Sequence, residues 1–419
     1  MIDGEHYAPV VRDALAELPY DFACAVLVGG TEKLRGGDDY GVPLADSVEE
    51  AIEEHEPELV VDLSDEPVLG PPDRLRLASR VLALGMPYVG PDFRFDPPPL
   101  EPFPLPSLSI VGTGKRVGKT AVAGYVARLL GAERDVVVVA MGRGGPAEPE
   151  LAELEPRVDD LLRLARAGRH AASDYLEDAA LAGVVTVGCR RCGGGLAGAT
   201  AASNVPAGAA LAAARSPDLV VFEGSGASLP PIATARRLLV ASAQQDPALA
   251  AGYLNAYRIL VSDLVVLTMA EEGSRYEDVR RALLGVKELS VVACVLRPRP
   301  VKPVAGKRVA YFTTAQPHAH ARLGAHLRDA HGADLEFVSG NLASRPALRE
   351  DLQRVPAGVE TYLIEIKAAA IDVVAEEAAR RGVEAVFVDN EVLPLPGEPD
   401  LDAELRALAD AAVAEAVVS

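Results

Sequence analysis

The chain has 419 residues, room for two or three domains at roughly 150 residues each, which excludes a single small binding module. Hydrophobic residues make up 49% and charged residues 24%, which excludes disorder as the main state. The net charge of −20, from 61 acidic and 41 basic residues, excludes a chain-wide attraction to nucleic acid or anionic membrane, so an anionic ligand needs a local basic pocket.

Four cysteines and an acidic start, MIDGEHY, point to a reduced, cytoplasmic protein. The longest apolar runs, from Val136 and from Leu264, are strand-sized and well short of the roughly 20 residues that span a bilayer. Short β-branched runs alternate with Ala, Leu, Arg and Glu stretches of helical length, the pattern of parallel strands joined by crossover helices. The fold class is therefore α/β.

In chain order, the first segment predicts helices over 8–18, 44–55 and 72–84 and strands over 22–28 and 58–63. A strand ending at Ile2 would have almost no length, and the expectation is a start upstream of Met1. Proline clusters at 96–106 and 297–303 read as linkers, too rich in proline for a helix or a central strand. They divide the chain into an N-terminal small α/β domain (1–100), a P-loop domain with a mostly parallel sheet (106–297) and a C-terminal α/β lobe (304–419). The middle domain predicts strands at 108–112, 135–140, 183–188, 218–224, 263–268 and 290–296, with a helix over 118–130. The last lobe predicts strands at 307–313, 334–339, 360–366 and 384–389, with helices between.

The run GTGKRVGKT, Gly112 to Thr120, follows an apolar strand and precedes a helix, as a phosphate-binding loop requires. Its nucleotide-binding residues are Gly112, Thr113, Gly114, Lys115, Arg116, Val117, Gly118, Lys119 and Thr120. Curled backbone N–H groups face an anion, the following helix adds its positive end, Lys119 reaches the outer phosphates and Thr120 offers a hydroxyl to Mg²⁺. The strict spacing would put glycine at 113, where this chain has Thr113. Two of only seven lysines, Lys115 and Lys119, fall in this loop, so Lys115 is a second candidate to act on a phosphoryl group.

The apolar run from Asp218 ends in Glu223 and a small-residue loop, FEGSGA, at the strand end where open α/β sheets place ligands. Glu223 is the candidate second Mg²⁺ anchor, against the alternative of a solvated strand-end carboxylate. Arg143, in MGRGG, follows another strand to the same edge and is placed to stabilise charge on a transferring phosphoryl group.

Seven strings together resemble the cyclic 2,3-diphosphoglycerate synthetase family: IDGEHYAPV at 2–10, GGTEKL at 29–34, VVDLSDEPVL at 60–69, GTGKRVGKT at 112–120, CRRCGGGLAG at 189–198, FEGSGA at 222–227 and EIKAAAIDVV at 365–374. The P-loop and FEGSGA alone are similar to the wider dethiobiotin-synthetase-like group, so the specific resemblance rests on the other pieces. It implies ATP-dependent closure of 2,3-bisphosphoglycerate through an intramolecular phosphoanhydride, with Mg²⁺ as cofactor, release of ADP and phosphate, and a homodimer. Two phosphates and a carboxylate held beside a triphosphate demand a cluster of cations. Lys115, Lys119 and Arg143 stand near the nucleotide, and the substrate-binding candidates are His6, Lys33, Arg190, Arg191 and Lys367, with Arg35 beside Lys33. The first lobe is expected to close over the P-loop as a lid.

Two other readings use the same loop: a ligase that phosphorylates a carboxylate or carbamate, and a nucleotide-dependent switch. No N-K-x-D base-reading motif favours a GTP switch. Cys189 and Cys192 form a lone C-x-x-C, short of the four ligands of a structural zinc site. His318 and His320 alternate at strand spacing in a polar stretch and are set aside as a solvated or capping pair.

Overall fold

The computed structural model describes residues 1–34, 38–152, 158–167, 174–366 and 370–418. Its backbone is a 13-stranded sheet that runs through both the P-loop segment and the C-terminal lobe. The order is Ala202–Ser203, Val185–Cys192, Val136–Gly142, Leu219–Glu223, Ser107–Gly112, Arg236–Ser242, Leu264–Thr268, Ser290–Pro300, Glu384–Pro394, Thr361–Glu365, Arg308–Phe312 and Asp334–Ser339, with Glu150–Ala152 pairing Val185–Cys192 off this path. Ser107–Gly112, Val136–Gly142, Leu219–Glu223 and Leu264–Thr268 are buried at every position, as strands covered on both faces by helices must be.

Arg236–Ser242 lies directly beside the P-loop strand, and the sequence pattern does not announce it because it opens on two arginines. Arg237 is nonetheless buried, its guanidinium donating to Ser109 Oγ at 3.2 Å and to the Val261 carbonyl at 2.8 Å. Hydrogen bonds from the guanidinium let an arginine sit where an aliphatic residue is the ordinary choice.

The linker expected at 297–303 is instead largely strand. Ser290–Pro300 continues past its parallel neighbour and pairs antiparallel with Glu384–Pro394, from Cys294 opposite Pro394 to Pro300 opposite Val388. Proline is tolerated here because the Val301 N–H donates to the Phe387 carbonyl, so the nitrogens of Pro298 and Pro300 face the other side, where no strand is paired among the described residues. This hairpin-like seam makes the two sheets one.

The first segment carries less strand than its pattern predicts. Ala25–Val26 pairs with Leu44–Ala45, while Val60–Val61, Tyr88–Val89 and Arg94–Phe95 form a second small sheet. Prolines at 43, 57, 87 and 91 cut the ladders short. The segment docks through helix Pro71–Ala83, which packs on Asn255–Leu260: Ala78, Val81 and Leu82 share a core with Leu254 and Tyr257, and Ser79 Oγ donates to the Tyr253 carbonyl at 3.3 Å.

Candidate active site

The phosphate loop joins Ser107–Gly112 to helix Lys119–Gly131. Gly118 caps that helix at φ 82°, a conformation that side chains disfavour. Thr113, the departure from strict spacing, is buried and tied on three sides. Its N–H donates to the Val240 carbonyl at 3.0 Å, its hydroxyl donates to Gln245 Oε1 at 2.6 Å, and its carbonyl accepts from Asn255 Nδ2 at 3.1 Å. The hydroxyl of Thr268 fixes the loop's far side by donating to the Val117 carbonyl at 2.7 Å. A loop held by its neighbours does not need glycine at 113 for its shape.

Parallel pairing sets Glu223 opposite Ile110, next to the P-loop strand. The Lys119 ammonium donates to Glu223 Oε1, with Lys119 9% and Glu223 1% exposed. Glu223 Oε2 is buried without a hydrogen-bond partner among the described residues. An orphaned carboxylate oxygen on a residue paired with Lys119, the first residue of the helix, is an acceptor that a hydrated dication satisfies.

Arg143 leaves the end of Val136–Gly142 and reaches the FEGSGA turn: a Cβ on Gly226 would lie 2.6 Å from its Nη2. Arg191 approaches the same turn from the neighbouring strand and donates to the Ser225 carbonyl at 2.8 Å. Burial and then the charge of Arg143 hold the Arg191 guanidinium below its ordinary pKa, the mark of two cations gathered at one spot. Gly226, at φ 61°, has the Arg143 guanidinium where a Cβ would sit. Gly226→Ala is expected to push Arg143 aside and lower turnover by at least about tenfold, a modest share of what a lost charge-stabilising donor costs, with nucleotide binding kept. Unchanged turnover in a steady-state assay would remove Arg143 from the reaction.

A cavity of about 1060 Å³ opens on this edge. Its near wall is the loop from Gly114 to Ala121, with Arg143, Gly144 and Gly145. Its far wall belongs to the C-terminal lobe: Thr313 and Thr314 after one strand, Asn341 after a second, Glu365 at the end of a third, and Asp389 and Asn390 on the seam strand. The far wall is as firmly built as the near one. Glu365 accepts from Tyr311 Oη and Thr313 Oγ1, both at 2.6 Å, and from the Thr314 N–H at 3.1 Å. Burial and the Glu365 carboxylate push the Tyr311 phenol well above its ordinary pKa and keep it a donor.

His318 and Arg322 also line the cavity, one turn apart on helix Pro317–His331. Setting His318 aside as a strand-spaced polar residue is corrected: Pro317 opens a helix at its first turn, directly after a parallel strand. His320 instead brings its Nε2 to 3.0 Å from the Ala315 carbonyl in the loop before the helix. The signal available in the sequence was a proline one residue before the histidine at a strand's carboxyl end.

The remaining candidates lie apart. His6 stands in the N-terminal segment, its Nδ1 2.8 Å from Asp3 Oδ1. Asp3 also accepts from the Glu5, His6 and Asp65 N–H groups, and although its burial opposes this, the His6 bond and those N–H groups hold its carboxyl below the usual range. Arg190 is exposed and off the cavity, its N–H donating to Asn204 Oδ1 at 2.7 Å. The backbone of Lys33 closes a turn at Thr31–Lys33, while its side chain, Arg35 and Lys367 lie outside the described residues. Residues 1–100 contribute nothing to the cavity lining among the described residues, so the lid expected from the first lobe is not seen: that lobe is committed to the Asn255–Leu260 helix.

Three family models match the chain in succession: the N-terminal domain of cyclic 2,3-diphosphoglycerate synthetase over residues 1–96, its P-loop domain over 107–295 and its C-terminal domain over 300–391. The chain belongs to this family. A relative from Rubrobacter xylanophilus, named cyclic 2,3-diphosphoglycerate synthetase, is 51% identical over 98% of this chain and 97% of its own. Another with that name, from Thermococcus kodakarensis, is 43% identical over 95% of each. A solved structure of LpxK from Aquifex aeolicus with ATP aligns at 13% identity and TM-score 0.44, over 81% of this chain and 95% of that one, too distant to bear on function. The P-loop α/β fold and the resemblance read from the seven strings agree with these matches.

Proposed function

We propose that this protein closes 2,3-bisphosphoglycerate into its cyclic form at the expense of ATP, releasing ADP and phosphate. The observation that carries the reading is a cavity with a phosphate loop on one wall and further cations around it, in a chain of this family. Lys119 and the loop from Gly112 to Thr120 take the triphosphate, and Lys115 and Arg143 face the transferring phosphoryl group. Thr120 and Glu223 would hold Mg²⁺, which spreads the charge of the phosphates when bound. Arg143, Arg191, His318 and Arg322 are the group from which the bisphosphoglycerate draws its counter-charges.

The reaction balances in two displacements. A phosphate oxygen of the substrate attacks the γ-phosphorus, forming one P–O bond as the bond to ADP breaks. The neighbouring phosphate then attacks the activated substrate phosphorus, closing the ring as inorganic phosphate leaves. Neither step needs a strong base, because phosphate oxygens are largely ionised at neutral pH. The work left for the protein is positioning and charge neutralisation.

We keep 1–100, 106–297 and 304–419 as the three units, with the active cavity between the last two. No described helix is long and apolar enough to cross a membrane. A cytoplasmic homodimer is part of this reading, and mass measurement in solution tests the assembly. Phosphorus NMR of the protein with Mg-ATP and 2,3-bisphosphoglycerate is expected to show the two monoester signals replaced by a phosphoanhydride pair, with ADP and phosphate in equal amount. Bisphosphoglycerate that survives while ATP is hydrolysed would overturn the substrate and leave the carboxylate-activating ligase.

A further inference from the structure

Helix Pro317–His331 carries a stripe of residues four apart: His318 and Arg322 reach the cavity, and His326 follows one turn below them. At that level His326 Nε2 lies 3.6 Å from Glu391 Oε2, on the strand whose preceding residue, Asn390, lines the cavity. His331, the last residue of the helix, brings its ring to 5.4 Å from that of His326. One ligand atom from each of His326, His331 and Glu391 falls within 4.8 Å of the others.

Two features make this more than a polar cluster. The Nε2 atoms of both histidines are buried without a hydrogen-bond partner among the described residues, a costly state for a polar atom. Native proteins seldom leave two such atoms unsatisfied on neighbouring rings, and an ion or ordered water is the ordinary explanation. Nearby cations have hydrogen-bonded carboxylate partners other than Glu391, whose charge Arg128 and Arg299 nonetheless feel. Arg297, opposite Glu391 across the seam, is paired bidentately with Glu271 at 2.7 and 3.0 Å. Arg128 and Arg299 direct their donors at Asp389.

We propose that His326, His331 and Glu391 bind a transition-metal dication of the zinc class. Two imidazole nitrogens and one carboxylate oxygen are the donor set such ions take, with a fourth position left to water. A tetrahedral ion with bonds of about 2 Å holds its ligand atoms about 3.3 Å apart, so binding requires side-chain rotation that draws these three atoms, now within 4.8 Å, together. The ion would staple the carboxyl end of the helix to the seam strand and so hold His318 and Arg322 at a fixed depth in the cavity. This site is independent of the nucleotide and of the proposed reaction.

The test uses the full chain, stripped with a chelator and free of nucleotide, titrated with Zn²⁺ against a colorimetric competitor and with Co²⁺ for its visible absorption. One equivalent is expected to bind, with tetrahedral Co²⁺ bands. Glu391→Gln and His331→Asn are each expected to weaken binding by more than about 100-fold, since even outer-shell losses cost 10–100-fold. His331 ends its helix, so that variant keeps its fold, which circular dichroism checks. Absence of a bound equivalent, binding in either variant as tight as in the unaltered chain, or loss of binding in Cys192→Ser would each overturn the site.

Discussion

Lys119→Ala is expected to lower ATP-dependent turnover by about a hundredfold to a thousandfold, the range for removing one preorganised charge-stabilising donor. The same change should also weaken the fold. Lys119 is the ion-pair partner of Glu223, which is 1% exposed, and removing one member of a buried pair costs about 3–5 kcal/mol because it strands the other charge. Loss of activity in Lys119→Ala alone therefore carries two causes. Adding Glu223→Gln removes the stranded charge, so Lys119→Ala with Glu223→Gln should recover most of the stability and none of the turnover. Urea melts beside the phosphorus NMR assay read the two quantities separately. Turnover that returns with stability would mean that Lys119 and Glu223 both only support the fold, and the phosphate-loop reading of this chain would fall.

The near wall of the cavity was legible because its chemistry is local. Gly112 to Thr120 are contiguous, and the strand, loop and helix around them follow from one short stretch. Glu223 and Arg143 were found by a rule of topology, since the carboxyl ends of parallel strands share an edge. The far wall was hidden because it depends on a pairing between distant segments. Asn390 and Glu365 reach the cavity only because residues 290–300 pair antiparallel with 384–394, and the prolines in that strand argue locally for a linker. Nothing in the sequence states which side of a strand is unpaired, and that alone decides whether Pro298 and Pro300 are tolerated. The family strings in the first segment were legible as pieces, yet their place was not. Asp3, Gly30 and Asp65 do gather at one end of that segment, away from the cavity lining.

The seam itself supplies the second large expected effect. Asp389 is 3% exposed and is shared by two guanidinium groups, Arg128 from the helix behind the phosphate loop and Arg299 at 3.3 Å from the opposite seam strand. Burial, and then the charge of Arg299, bring the Arg128 pKa down to about 10, which still leaves it charged at neutral pH. One carboxylate thus offsets two partly buried cations and ties the P-loop helix to the C-terminal lobe. Asp389→Ala leaves both cations facing each other without their hydrogen-bonded carboxylate, offset only by the charge of Glu391. A loss of about 3–5 kcal/mol is expected in urea unfolding, the cost of breaking a buried pair, against less than about 1 kcal/mol for Asp39→Ala at the exposed Arg12 pair. Because Asp389 and Asn390 also line the cavity, the residual folded protein should bind ATP through its intact loop yet turn over slowly. A stability loss as small as that of Asp39→Ala would mean that the lobes are held by the strand pairing alone.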